Sequence, residues 1–284
     1  MFPLRSVLYV PACNAKALAK VPSLPCDAVI FDLEDSVAPE AKAEARAQLA
    51  AQYHGAEPGT RQLCVRINRA GTAWYDEDIK LAAKLSPDAV VLPKVESAAE
   101  LKHLAHDLFT AGCSDRTRLW ALIETPKGVL AAATLAEGNP RLSALVLGLN
   151  DLASGLNVAL TPDRAALMHA MSTVLLAARA QGLMVLDGVY PVLGDSAGFT
   201  AQCAQARSLG FDGKTLIHPA QITPANAAFS PSATEIAWAQ KVSAAWTAGS
   251  HKGVTVVDGQ MIEELHVKQA ERLLSLAQHV KAKS

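Results

Sequence analysis

Eight short aliphatic runs, most of them followed by a longer helix-like stretch, constrain the fold of this 284-residue chain more than any other feature. They are SVLYV (6–10), DAVIFD (27–32), LCVRI (63–67), DAVVLP (88–93), LWALIE (119–124), ALVLGL (144–149), LMVLDG (183–188) and GKTLI (213–217). Their apolar residues are nearly continuous rather than alternating, as in strands of a parallel sheet covered on both faces. Helices are expected over 40–52, 76–85, 97–111, 126–136, 163–181 and 196–209. Thr125 and Thr161 suit N-caps ahead of Pro126 and Pro162, and Gly112 and Gly182 suit the far ends. Eight β/α units in about 220 residues predict an α/β fold of the (β/α)8 TIM-barrel type. The alternative is a doubly wound open sheet, but no G-x-G-x-x-G follows the first strand to support dinucleotide binding.

The catalytic barrel is expected to span residues 1–230. Residues 231–284 are expected to form a C-terminal helical extension, with helices near 232–248 and 261–281 and a loop containing SHKGVTVVDGQM between them. Val254, Val256, Val257, Met261, Ile262, Leu265, Leu273 and Leu274 in this tail need a surface to bury against, on this chain or on a neighbour.

Charge and cysteine usage narrow the function classes. With 26 basic and 27 acidic side chains, the net charge of −1 points to neither nucleic acid nor an anionic membrane as partner. No apolar run reaches the roughly 18–20 residues that span a bilayer. Pro11 interrupts the short apolar stretch near the N-terminus, so no signal peptide is expected. Five scattered cysteines without a C-x-x-C pair fit a reducing cytoplasm and argue against a disulfide frame or zinc site.

Chemistry in such barrels sits at the C-terminal ends of the strands. Read there, the chain offers Asp32, Glu34 and Asp35, then Arg66 and Asn68, Pro93-Lys94, Glu124, Asn150-Asp151, Asp187 and His218-Pro219. Glu124 and Asp151 are expected to end adjacent strands, and two carboxylates that close need a cation or a shared proton. Oxygen ligands without His or Cys favour Mg²⁺ over zinc; a salt bridge to Lys94 or Arg66 is the competing reading. Arg66 can grip a carboxylate with two prongs or stabilise an enolate oxygen, or it can simply pair with the DLED acids.

These stretches resemble the citrate lyase beta-subunit-like family of the HpcH/HpaI aldolase superfamily, which includes malyl-CoA and citramalyl-CoA lyases. The resemblance rests on LRSVLYVPA (4–12), DAVIFDLEDSV (27–37), VRIN (65–68), VVLPKVES (90–97), ALIETPKGV (121–129), LGLNDLA (147–153), GKTLIHPAQI (213–222) and VDGQMIEELHVKQAERLL (257–274). It implies a Mg²⁺-dependent carbon–carbon lyase that cleaves citramalyl-CoA or malyl-CoA to acetyl-CoA and a 2-oxoacid, pyruvate or glyoxylate. Alternatives are a citrate lyase beta subunit working on a carrier-protein thioester, a malyl-CoA-type thioesterase and, against the intact Arg66, Glu124 and Asp151, a non-catalytic partner protein. The resemblance assigns the metal to Glu124 and Asp151 and substrate contact to Arg66, with Asn150 and Asp151 beside it. Asp32, Glu34, Asp35 and Lys94 are expected to surround and fix these groups. Lys16, Lys214 and His218 are candidates for contact with the thioester carrier, His218 also having a structural reading in its His-Pro turn. The family assembles as trimers or hexamers whose tail caps a neighbour's site and donates a carboxylate. Here that residue is Glu263, one methylene longer than the family's usual Asp. VPACNAKAL also departs from the family's frequent Pro-Gly followed by a basic residue.

Overall fold

A computed structural model describes residues 3–53, 61–249 and 253–282. The chain divides into two compact units, Leu4–Ala228 and the residues from Phe229 onward, the latter joined by Pro3. In the first unit, strands β1 (Ser6–Pro11), β2 (Ala28–Asp32), β3 (Gln62–Arg66), β4 (Ala89–Leu92), β5 (Arg118–Ile123), β6 (Leu142–Leu147), β7 (Met184–Asp187) and β8 (Gly213–Leu216) form a closed barrel in sequence order. Every neighbouring pair is parallel, and β8 returns to β1 through Ser6–Lys214, Val7–Thr215 and Leu8–Leu216. The TIM barrel expected from the sequence is therefore the fold.

Helices α1 (Ala15–Lys20), α2 (Lys42–Gln52), α3 (Tyr75–Leu85), α4 (Ala98–Thr110), α5 (Pro126–Leu130), α6 (Ala132–Glu137), α7 (Leu149–Leu156), α8 (Met168–Ala180), α9 (Ser196–Leu209) and α10 (Ile222–Phe229) follow the strands. Thr125 caps α5 as expected, its hydroxyl accepting from Gly128 N, with Pro126 in the first turn. Thr161 does not cap a helix: its hydroxyl bonds Asp163, Arg164 turns left-handed at φ 57°, and α8 begins only at Met168. The single helix expected over 126–136 is two short ones, broken at Ala131.

The barrel interior is filled by Val7, Ala28, Ile30, Cys64, Ala89, Val91, Trp120, Leu122, Ala144, Val146 and Leu186. Side chains in between, such as Val29, Phe31, Val65 and Val90, are buried on the helix side. Burial on both faces is why the runs read as continuous rather than alternating.

In the second unit, α11 (Ala233–Ala248) starts at a full capping box between Ser232 and Glu235, and α12 (Glu264–Ala282) packs against it. Between them the expected loop is a hairpin, β9 (Thr255–Val257) and β10 (Gln260–Ile262), turning at Asp258-Gly259 with φ 51° and 79°; residues 250–252 of that stretch lie outside the described residues. Strand alternation splits the tail's apolar residues. Val257 and Ile262 join Ala239, Val242, Val267 and Ala270 in a small core, with Leu273 and Leu274 packed against it. Val254, Val256, Met261 and Leu265 stay exposed. Among the described residues no helix is long and apolar enough to cross a membrane, and the five cysteines are free thiols.

Candidate active site

The inward rows of the strands carry polar groups to the C-terminal mouth by their period of two. Val7 is followed by Tyr9, Ala28 and Ile30 by Asp32, Cys64 by Arg66, and Trp120 and Leu122 by Glu124. Tyr9, Asp32, Arg66 and Glu124 line a pocket of about 370 Å³ there, together with Asn150 and Asp151. That volume suits a small organic molecule.

Arg66 is buried and held on three sides. Its Nε and Nη2 donate to the two oxygens of Asp32, each at 2.6 Å, and Nη1 lies 3.0 Å from Glu34 Oε2. The guanidinium carbon sits 4.9 Å from the centre of the Tyr9 ring, a cation–π contact. Asp32 also accepts from the backbone N–H groups of Glu34 and Ser36 at 2.9 and 3.1 Å. Burial works to raise the Asp32 pKa, but the Arg66 hydrogen bonds and charge outweigh it and leave the carboxylate lowered. Of the DLED acids, Asp32 and Glu34 thus pair with Arg66, and Lys94 completes the set: its Nζ meets Glu34 Oε1 at 2.7 Å and Asp35 Oδ2 at 3.3 Å.

Glu124 follows β5, opposite Gly148, whose N–H donates to Ile123 O. Glu124 is 2% exposed, and Lys94 N donates to its Oε1 at 2.8 Å. Lys94 adopts φ 51° at the position making this contact, a conformation that costs a non-glycine residue free energy. Gly148 is needed beneath the carboxyl: a Cβ there would run into Glu124, against its Cβ and 2.5 Å from its Oε2. Burial first, then the charge of Asp151, pushes the Glu124 pKa up to about 8 against the pull of Arg66 and Lys94.

Asp151 does not end a strand. It occupies the first turn of α7, with Gly148 as N-cap and no side-chain cap, where the helix dipole favours a carboxylate. Asn150 precedes it in that turn, and both are exposed at the pocket. No group of three or more His, Cys, Asp or Glu side chains placed to hold a metal occurs among the described residues. Two carboxylates suit Mg²⁺, which keeps several waters and takes one or two protein ligands. A cation beside Glu124 and Asp151 would also relieve the crowding that raises Glu124, so the residues present fit the ion.

The remaining candidates are scattered. Lys16 is exposed on α1. His218 is exposed, and its Nδ1 accepts from Ala220 N as the cap of the turn Pro219–Gln221, the structural arrangement expected of a His-Pro corner. Lys214 corrects the carrier-contact expectation. It is fully buried and gives its Nζ to Asp187 Oδ2 at 2.7 Å and Gly188 O at 2.5 Å, out of reach of any carrier. Glu263 lies in the second unit just ahead of α12, half-buried, with its N–H donated to His266 Nδ1.

Two contributors escaped the sequence reading. Tyr9 under Arg66 read only as part of a strand. Lys42 is buried, and its Nζ donates to Leu33 O, Glu34 O and Asn68 Oδ1 at 2.7–2.8 Å, tying down the backbone of the acidic loop. A lysine in the first turn of a helix opposes the helix dipole, and that misplacement was the legible signal.

Residues 5–219 match the family of HpcH/HpaI aldolase/citrate lyase proteins. The chain belongs to this family. Over 99% of its length it is 44% identical to a (3S)-malyl-CoA thioesterase of Cereibacter sphaeroides, covering 96% of that protein. It is 34% identical to the citrate lyase subunit beta of Leuconostoc mesenteroides subsp. cremoris, with 96% and 93% coverage, and 32% identical to the human mitochondrial citramalyl-CoA lyase, with 99% and 87% coverage. It also superposes on the structure of protein CitE from Mycobacterium tuberculosis in complex with magnesium, acetoacetate and coenzyme A. The TM-score is 0.79 at 33% identity, covering 97% of this chain and 98% of that one.

Proposed function

We propose that the protein is a Mg²⁺-dependent lyase for the CoA thioester of a short hydroxy acid, malyl-CoA or citramalyl-CoA, releasing acetyl-CoA and glyoxylate or pyruvate. The observation that carries this reading is one pocket holding a buried, pre-oriented guanidinium beside two crowded carboxylates. Glu124 and Asp151 would hold Mg²⁺, which when bound would supply Lewis acidity toward the oxygens of the 2-oxoacid half. Cleavage turns the hydroxyl oxygen into the new carbonyl as its proton passes to solvent water. The bonding pair moves onto the acetyl fragment, where charge gathers on the thioester oxygen. Arg66, locked by Asp32 and Glu34, needs little reorganisation to meet that charge. Glu263 of a neighbouring subunit then protonates the enolate carbon. In this reading residues 231–284 cap that neighbour in a trimer or hexamer; the exposed Val256, Met261 and Leu265 support it as the face that packs there.

A second reading, hydrolysis of the same thioester to the free hydroxy acid and CoA, is favoured by the 44% identity to the thioesterase of C. sphaeroides. The test is to incubate the purified protein with each thioester, with and without Mg²⁺, and identify products by mass spectrometry. Acetyl-CoA with the 2-oxoacid supports the lyase. Free CoA with the hydroxy acid supports the thioesterase. No turnover of either thioester overturns both and points to a carrier-protein thioester as substrate.

A further inference from the structure

Tyr9 is half-buried on the inward row of β1, its ring packed against the inner core of the barrel. The face of that ring carries the Arg66 guanidinium, whose carbon lies 4.9 Å from the ring centre. The hydroxyl is another matter. It bonds no group among the described residues, and it is not among the buried polar atoms left unpaired there. The oxygen is therefore open to solvent, and the space that Tyr9 lines is the mouth pocket. A tyrosine this far inside a protein usually ties its hydroxyl to a partner; here the partner has to come from the pocket.

The carboxylates nearby are already engaged. Asp32 accepts from Arg66 twice and from the N–H groups of Glu34 and Ser36, Glu34 meets Arg66 and Lys94, and Glu124 Oε1 takes Lys94 N. Burial foremost raises the Tyr9 phenol above its ordinary range; Arg66 pulls it down, and the charges of Glu124, Asp32 and Glu34 add to the rise. At neutral pH the group is a protonated donor, not a base. Beside it, Asp32 and Glu34 do not use all five N–H groups of the Arg66 guanidinium. With bonds of about 2.7–3.0 Å each, one oxygen can bridge donors up to about 6 Å apart, the scale set by the stacking of guanidinium on ring.

We propose that Tyr9 is a further catalytic residue, its hydroxyl joining Arg66 to bind the thioester oxygen of the substrate. The inference rests on a thioester occupying the mouth, as in the reading above, and not on which bond is broken. In cleavage, the carbon–carbon bonding pair becomes the double bond of the enolate. The thioester π pair moves to the oxygen and returns when the carbon takes its proton. In hydrolysis, a pair from water forms the new carbon–oxygen bond. The π pair moves to the same oxygen and returns as the thiolate leaves. Tyr9 keeps its proton throughout and lends only a hydrogen bond. Such a donor matters because two carboxylates already lie against Arg66, so its charge is largely compensated and directed hydrogen bonds carry more of the stabilisation.

The test is Tyr9→Phe in the full-length, Mg²⁺-loaded protein. Phenylalanine keeps the ring under Arg66, and the lost hydroxyl has no partner among the described residues, so the unfolding midpoint should not move. The probe is acetyl-CoA labelled with ¹³C at the thioester carbonyl, read by isotope-edited infrared difference spectroscopy. Binding to the unsubstituted protein should lower the carbonyl stretch below its value in water, and Tyr9→Phe should lose roughly half of that displacement, one of two donors being gone. In whichever product assay reports turnover, kcat should fall at least about tenfold with KM within about threefold. Equal displacements in the two proteins, or no displacement in the unsubstituted one, overturn the inference. So does a tenfold loss of calorimetric Mg²⁺ affinity in Tyr9→Phe, which would mean that the hydroxyl serves Glu124 instead. Failure of the reaction proposed above shows separately, as no turnover of malyl-CoA or citramalyl-CoA, and leaves the infrared comparison decisive for Tyr9.

Discussion

Glu124→Gln should stabilise the metal-free protein, and by an amount that depends on pH. The carboxyl is raised from its ordinary 4.5 to about 8 by burial and by Asp151. Below pH 4.5 it is protonated in both folded and unfolded chains and contributes no difference. Between 4.5 and 8 the unfolded chain gives up this proton and the folded chain keeps it, so stability falls as pH rises; above 8 the loss is complete. At about 1.4 kcal/mol per unit, the limit is roughly 4–5 kcal/mol. Glutamine is neutral at every pH, and its amide oxygen can still accept from Lys94 N. The variant should therefore match the wild type near pH 4.5 and exceed it by several kcal/mol near pH 8.5. The assay is urea unfolding in excess chelator at steps between those limits. Mg²⁺ at millimolar concentration should then raise the wild type and leave Glu124→Gln unmoved, because an ion that binds only the folded state stabilises it by mass action. Equal stabilities at pH 8.5, or equal responses to Mg²⁺, would refute the reasoning.

Arg66→Lys keeps the charge but loses the fork that grips both Asp32 oxygens; kcat should fall about 10²–10³-fold, and steady-state kinetics within threefold of wild type would count against a role in charge stabilisation. Gly148→Ala drives a Cβ into Glu124, so calorimetric Mg²⁺ affinity should drop at least tenfold while far-UV circular dichroism stays unchanged. Lys42→Met takes the charged donor from Leu33 O, Glu34 O and Asn68 Oδ1, the two carbonyls keeping Asn68 Nδ2 and Val37 N as donors; thermal and urea unfolding should show a loss of about 1–3 kcal/mol. Glu124→Gln and Glu263→Gln should each be nearly inactive and, when co-expressed, recover about a quarter of the sites if the tail works in trans; mixed oligomers that recover nothing would exclude that arrangement.

The parts of the molecule that were legible in the sequence share a physical reason. A barrel strand is buried on both faces, so its composition is fixed by packing at every position, and eight such runs leave few other folds. Asp32, Arg66 and Glu124 were legible for the complementary reason. Each continues an inward row of its strand past the last apolar residue, and the pleat aims it at the mouth whatever the loops do.

Chain reversals and helix starts that lack side-chain signals were not legible. Asp151 reads as a strand end because α7 starts just after Gly148, an N-cap that offers no capping side chain, and its first residue continues the apolar run of β6. Thr-Pro-Asp resembles the start of a capped helix, yet Arg164 takes the left-handed conformation that stops it, and α8 begins only at Met168. That turn carries Arg164 back to Asp187, a partner 23 residues ahead, and no local propensity encodes such a distant demand. The tail hairpin was different, since its signal was present. Asp258-Gly259 is a dipeptide suited to two successive positive φ angles, flanked by Val256-Val257 and Met261-Ile262. It was hidden only because both strands are three residues long, too short for alternation to stand out from a loop. Where the chain's geometry follows from burial, sequence suffices; where it follows from one buried charge needing another, the partner has to be seen. Lys42 lies between these cases. Its unfavourable place at a helix start marks it as held by something, and only the structure supplies the two carbonyls and one amide that hold it.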